Sequence, residues 1–159
     1  MAAAPDVTDR LLALARLDRH PDHRPPRAGL VVVATALAIA LSLLADAALV
    51  ALGTHVFPTT RGYVHFAFRD YARLTVIGIV IAGAAWPLVA RVTSAPRWLF
   101  SRLAVLVTAV LLLPDLYILA QGQPPRAVTV LMSMHLAIAL ITYTVLVRLA
   151  PVRGRPPAA

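Results

Sequence analysis

The stretch AGLVVVATALAIALSLLADAALVAL, residues 28–52, decides the fold of this chain. Its only charged side chain is Asp46, and Leu, Val, Ala and Ile make up most of the rest. A helix that spans a bilayer needs about 20 consecutive, mainly apolar residues. The stretch is therefore predicted to be a transmembrane helix.

Three further stretches have the same character: residues 74–92, 103–120 and 127–147. Segments that contain Pro and Arg separate them, so neighbouring spans must run antiparallel. The predicted fold class is all-α, an integral membrane four-helix bundle over residues 28–149. Residues 1–27 form a tail with Val7, Leu11 and Leu14 on one helical side, either an interfacial helix or a frayed segment. Residues 150–159 form an Arg/Pro tail.

Composition supports a membrane protein. Of the 159 residues, 60% are hydrophobic and 14% are charged, against about 45–50% and about 25% in soluble domains. All 15 basic residues are Arg and all seven acids are Asp, which a GC-rich coding bias explains. The chain has no Cys, which excludes disulfide and thiolate chemistry.

The distribution of Arg predicts the orientation. Eleven Arg residues flank one side of the predicted spans and four flank the other, and the basic side is expected to be cytoplasmic. Both termini should then be cytoplasmic, in the plasma membrane of a bacterium. Because these Arg residues flank spans and form no single patch, nucleic acid is not an expected partner. A cleavable signal ending near Ala45–Ala47 is the competing interpretation, but the apolar run continues to Leu52.

Polar and small residues recur at helical spacing in each span, and they predict the faces turned towards the bundle interior. The predicted faces are Thr35, Ser42 and Asp46; Thr75, Gly78, Ala82 and Ala85; Ser101, Thr108 and Asp115; and His135, Ala139 and Thr142.

Three ionisable residues share one depth in these spans. Counted from the outer end, Asp46, Asp115 and His135 lie about 9, 7 and 12 Å deep, at roughly 1.5 Å per residue. Ionisable groups at such depth are costly, and they are usually paired or functional. We therefore predict a polar layer, to which His55 and His65 of the aromatic-rich outer loop are candidate contributors.

Three roles for the layer stay open: an interhelical structural contact, a proton-responsive or ligand-binding site for a small cation or lipid headgroup, and a metal site. No tight metal-ligand spacing is present, so no metal and no cofactor are expected. Nucleophile motifs, phosphate loops and nucleotide fingerprints are also absent from the sequence, so nothing argues for catalysis. Aromatic rings in residues 53–73 favour anchoring at the interface over a ligand lid.

Three short motifs carry a resemblance to known families: RDYARLT at Arg69–Thr75, PD at Pro114–Asp115, and MHLAIA at Met134–Ala139. In this arrangement the chain resembles the uncharacterised small four-span membrane proteins of high-GC actinobacteria, over nearly all residues after Arg27. The resemblance implies a fold and no activity.

The predicted function is that of a non-enzymatic accessory or assembly subunit, or a small ligand-binding bundle. The alternative is a small proton-coupled transporter that works through Asp46, Asp115 and His135. The expected partners are the lipid bilayer and other membrane proteins or further copies of this chain.

Overall fold

Four long helices fill most of the computed structural model, which describes residues 21–154. They are α1 (Ala28–Val56), α2 (Phe68–Val92), α3 (Pro96–Ala120) and α4 (Pro125–Leu149). The connection from α1 to α2 contains two 3-10 turns, Pro58–Thr60 and Val64–Phe66. The fold is helical, as predicted, apart from one pair of two-residue strands. The predicted interfacial segment with Val7, Leu11 and Leu14 lies outside the described residues.

All four helices are long and apolar enough to cross a membrane. Helices of 25 and 29 residues measure about 38 and 44 Å at 1.5 Å per residue, against about 30 Å of hydrocarbon. Each helix is therefore longer than the span predicted within it. A helix can continue beyond the hydrocarbon, so the span limits stay predictions.

The bundle has two distinct ends. Residues 57–67 and 121–124 connect helices at one end, which we call the loop end. Residues 21–27, 93–95 and 150–154 lie at the opposite end, which we call the terminal end. Prolines start α3 and α4 at Pro96 and Pro125, where the missing amide hydrogen leaves no helical bond unmade.

Helix α1 is central to the packing. It packs most extensively on α4 and also along α2, while α3 packs mainly on α4. Two glycines permit these close approaches. A Cβ atom at Gly53 of α1 would lie 2.6 Å from Val130 Cγ2 of α4, and one at Gly83 of α2 would clash with Thr35 Oγ1 of α1. Small residues at helix contacts are typical of membrane bundles, because association there depends on close packing.

An apolar core fills the terminal end. Trp86, Leu146 and Ala34 are fully buried there, and Phe100 is nearly so. The Trp86 and Phe100 rings lie 5.0 Å apart between centroids. Trp86 Nε1 donates a hydrogen bond of 2.8 Å to the carbonyl oxygen of Ala150, so the largest core side chain also has its polar atom paired.

The two terminal segments are fastened to the bundle. His23 pairs with Gly154 and Arg24 with Arg153 in an antiparallel two-residue bridge. His23 Nε2 lies 2.8 Å from the Ala90 carbonyl oxygen of α2. Arg153 Nε donates a 3.0 Å hydrogen bond to the carbonyl oxygen of Pro25. The segments on either side of the four helices are thus tied to one another and to α2.

Three of the four predicted inward faces agree with the observed burial. Asp46, Asp115 and Thr142 are buried, and the other members of those three faces are buried or half-buried. On α2 the prediction of Gly78 is wrong, because Gly78 is exposed and a Cβ atom there would meet nothing within 4 Å.

The observed inward face of α2 follows a different spacing after its first member. Its buried residues are Thr75, Ile79, Gly83, Trp86, Val89 and Ala90. A step of one residue turns a helix by about 100°, so choosing Gly78 instead of Ile79 moved the predicted face towards lipid. Preference for small residues misled the prediction, since Ile79 and Trp86 among the observed members are bulky.

The outer surface of the bundle is apolar. Leu74 is 71% exposed, and Val32, Val105 and Leu140 are each 69% exposed. Contiguous apolar surface of this kind is unusual on a protein that faces water. It fits contact with acyl chains, and the four helices together indicate a multi-pass membrane protein.

Candidate functional site

Each of the four helices supplies one side chain to a polar layer in the half of the bundle nearer the loop end. The members are Asp46 of α1, Thr75 of α2, Asp115 of α3 and His135 of α4. Two direct contacts connect them in pairs, one across α1 and α2 and the other across α3 and α4. The term polar layer is used below for these four residues.

Asp46 is completely buried at the contact of α1 with α2. The Thr75 hydroxyl donates a hydrogen bond of 2.9 Å to Asp46 Oδ2. Asp46 Oδ1 is buried and has no hydrogen bond partner among the described residues. One oxygen of this carboxylate is thus paired across the contact of α1 with α2, and the other has no described partner.

Asp115 and His135 form the second pair. Asp115 Oδ2 lies 3.1 Å from His135 Nδ1, with the side chains 8% and 29% exposed. Nδ1 also lies 3.1 Å from the Leu131 carbonyl oxygen, one helical turn earlier in α4. A single N–H cannot serve both acceptors well, and hydrogen bond geometry is met only at Leu131. The contact with Asp115 is therefore an ion pair by distance, formed when the imidazole is protonated.

Two more hydroxyls extend the polar interior towards the terminal end. Ser42 lies one turn from Asp46 on α1, and Thr142 lies two turns from His135 on α4. Both are buried, and their oxygens have no hydrogen bond partner among the described residues. Both residues belonged to the predicted inward faces, but the predicted layer was limited to ionisable residues and so did not include them.

Tyr63 lies in the connection between α1 and α2, at the loop end of the bundle. The Tyr63 hydroxyl is buried and has no hydrogen bond partner in residues 21–154. Its ring meets His65 and Phe66 edge to face, at 5.3 and 5.2 Å between centroids. Burial raises the pKa of Tyr63 above its usual 10.0, and the charge of Asp115 raises it further. Tyr63 thus places a buried hydroxyl at the loop end of the bundle.

Tyr63 is the site residue that sequence reasoning missed. The sequence identifies Tyr63 only as one of several loop aromatics, and spacing along the chain does not predict that its hydroxyl is buried. His65 is exposed in the 3-10 turn Val64–Phe66. His55 is exposed in the last turn of α1.

The chemistry available in the layer is that of carboxylates, an imidazole and hydroxyls. These groups can exchange protons, accept a small cation or hold helices together. Within residues 21–154, no three His, Asp, Glu or Cys side chains are grouped so that they could hold a metal ion.

Four apolar helices around buried polar pairs define a small multi-pass membrane protein. Residues 12–151 match the model of a family described as a family of unknown function, DUF6069, and the chain belongs to that family. The match includes all three motifs on which the resemblance was based, and it assigns no activity. No curated protein and no solved structure matches this chain.

Proposed function

We propose that this protein is a non-enzymatic accessory or assembly subunit in the plasma membrane of a bacterium, with both termini cytoplasmic. The pairing within the polar layer carries this proposal. Asp46 contacts Thr75, and Asp115 contacts His135, so each acid is engaged by a neighbouring helix of the same chain. In this interpretation the layer fixes how the helices sit against one another, and the apolar outer surface serves as a platform for other membrane components.

Physical costs favour such a role for the layer. Polar side chains in hydrocarbon are expensive unless they find partners, and interhelical hydrogen bonds are an established means of association in lipid. A substrate site would need ionisable groups directed at a space that a substrate can enter. One oxygen of each acid is instead in contact with a side chain of a neighbouring helix.

A bacterial origin of high-GC, actinobacterial type fits the exclusive use of Arg and Asp as charged residues. The proposed orientation rests on eleven Arg residues on the side of the termini and four on the other. Among these eleven, Arg24, Arg27, Arg91, Arg97, Arg102, Arg148 and Arg153 fall in the described part of the chain.

Cysteine labelling tests the orientation directly, because the native chain has no Cys. Gln123→Cys is exposed in the connection between α3 and α4, and Pro151→Cys is exposed after α4. A membrane-impermeant maleimide applied to intact cells should label Gln123→Cys, and it should label Pro151→Cys only after permeabilisation. The reverse pattern would show that the termini are outside and would overturn the proposed topology.

Photo-crosslinking in living cells tests the accessory role. A photoreactive amino acid is placed at one exposed apolar position in each helix: Leu44, Ile81, Leu106 and Leu140. An accessory subunit should give a discrete protein adduct at some of these positions and none at the others, because a partner covers one side of the bundle. An adduct of twice the chain mass would identify a second copy as the partner. If all four positions crosslink only to lipid, the accessory role is wrong.

A small proton-coupled carrier is the second candidate. The observation in its favour is the set of buried oxygens without hydrogen bond partners among the described residues, on Ser42, Asp46, Tyr63, Asp115 and Thr142. They supply polar capacity that interhelical pairing does not use. A carrier requires His135→Ala to abolish transport in a protein that still folds and inserts.

A further inference from the structure

A groove runs along the contact of α1 with α2 in the half of the bundle nearer the terminal end. Its volume is about 550 Å³, and its lining is mostly apolar. Thr35 and Gly83, where the two helices approach closely, are among its lining residues. This volume lies within the range of about 300–1,000 Å³ that small-molecule sites occupy.

The groove is open at its side. Val32, Ala36, Val80 and Ala84 line it and are all exposed. Along α1 it extends from Ala28 to Ile39, a rise of about 17 Å at 1.5 Å per residue. One leaflet contributes about 15 Å to a hydrocarbon core of about 30 Å. The groove thus has the length of one acyl chain, and it faces the direction from which lipid would enter.

Positive charge lies at the terminal end of the groove. Arg91 is exposed beside Pro25 and Pro26 in the lining. No carboxylate among the described residues forms an ion pair with Arg91. The segments at the terminal end contain Arg24, Arg27 and Arg153 and one acid, Asp22, and the adjoining parts of the helices add Arg91, Arg97, Arg102 and Arg148. Basic pockets between membrane helices at the cytoplasmic side are typical binding sites for anionic lipid headgroups.

We propose that this groove binds an anionic phospholipid, with one acyl chain along α1 and α2 and the phosphate at Arg91. The length, apolar lining and lateral opening of the groove match an acyl chain. The guanidinium of Arg91, which pairs with no described carboxylate, matches the phosphate. A soluble anion would use the charge alone and would gain nothing from the apolar groove. The inference rests on the proposed membrane location, but it does not depend on the polar layer or on any accessory role.

Lipid titration of the purified, delipidated full-length chain in detergent tests the proposal. The probes are phosphatidylglycerol and phosphatidylcholine with identical palmitoyl and oleoyl chains, and bound lipid is counted by native mass spectrometry. Phosphatidylglycerol should bind more tightly than phosphatidylcholine. Arg91→Gln should weaken phosphatidylglycerol roughly fivefold, the effect of one basic residue near an anionic lipid, and should weaken phosphatidylcholine less, because its choline cation offsets the charge of its phosphate.

Two matched controls separate the groove from general effects. Arg97→Gln removes an exposed charge at the same end but outside the groove, and it should not change binding. Ala36→Phe fills the groove and should weaken both lipids, whereas Ala109→Phe on the exposed side of α3 should weaken neither. Arg91→Gln alters an exposed side chain, so it keeps the test decisive even if Ala36→Phe does not fold.

Several results would overturn the proposal. Equal affinity for the two lipids would show that the groove does not select an anionic headgroup. Equal losses of phosphatidylglycerol binding in Arg91→Gln and Arg97→Gln would indicate diffuse electrostatic attraction and no specific site. Competition by soluble glycerol phosphate would indicate a headgroup site without the groove. An accessory role could fail in crosslinking while these lipid results stand, so the two proposals are tested separately.

Discussion

Gly83→Ala is expected to destabilise the bundle by about 1–3 kcal/mol, the usual cost of overpacking a tight contact. A methyl group there would clash with the Oγ1 atom of Thr35 on α1, and the next nearest atom, Thr35 Cγ2, would lie at 3.1 Å. Helices α1 and α2 would have to move apart, which would also strain the Asp46–Thr75 hydrogen bond two turns away. Reversible unfolding in mixed detergent measures the change.

Gly78 of the same helix provides the matched control. It is exposed, and a Cβ atom there meets nothing within 4 Å. Gly78→Ala should therefore leave stability unchanged or raise it by up to about 1 kcal/mol, because alanine favours the helix over glycine. Equal effects of the two substitutions would show that the α1–α2 contact is not formed as described.

A compensating substitution identifies the clashing side chain. Thr35 supplies each of the three atoms nearest to the missing Cβ of Gly83. The Thr35 hydroxyl otherwise donates only within its own helix, to the Val31 carbonyl oxygen at 2.7 Å. Adding Thr35→Ala to Gly83→Ala should restore most of the lost stability. Failure to do so would assign the loss to some other contact of Gly83.

The contrast between these glycines shows what sequence could predict. Hydropathy predicts four helices because about 20 apolar residues have few alternatives. Polar residues predict inward faces well, and Asp46, Asp115 and Thr142 are buried as expected. Glycine has no such preference, since it tolerates lipid and helix contact equally. Gly83 faces Thr35 of α1, whereas Gly78 is exposed and has nothing within 4 Å. The residue type alone does not distinguish these two positions.

The identity of the side chains that contact the predicted site residues also depends on tertiary structure. Depth placed Asp46, Asp115 and His135 in one layer, but it could not divide them into pairs. Thr75 pairs with Asp46 because α2 packs along α1. The contact of His23 with Ala90 spans 67 residues, beyond any periodic pattern.

Breaking the Asp115–His135 pair should separate a structural layer from a transport site. Asp115→Asn and His135→Ala should each reduce the free energy of unfolding by about 1–3 kcal/mol, because a buried polar atom loses a charged partner. The loss of unfolding free energy in the double variant should be smaller than the sum of the losses in the two single variants. The expected coupling is about 1–1.7 kcal/mol, in the upper part of interhelical values that average about 0.6 and reach about 1.7.

His65→Ala is the control for this cycle. That histidine lies in the connection between α1 and α2 and is exposed, and exposed substitutions usually stay within about 0.5 kcal/mol. Strictly additive losses for Asp115 and His135 would show that the two side chains do not stabilise the bundle as a pair.

The same variants distinguish the carrier in proteoliposomes loaded with a pH-sensitive dye. A structural layer predicts that the wild-type protein dissipates an imposed pH gradient no faster than vesicles without protein. Faster dissipation that His135→Ala abolishes, in a variant with wild-type stability, would assign the layer to proton movement and refute its structural role. Stability loss without proton flux is the result we expect, because each acid of the layer already has a partner on a neighbouring helix.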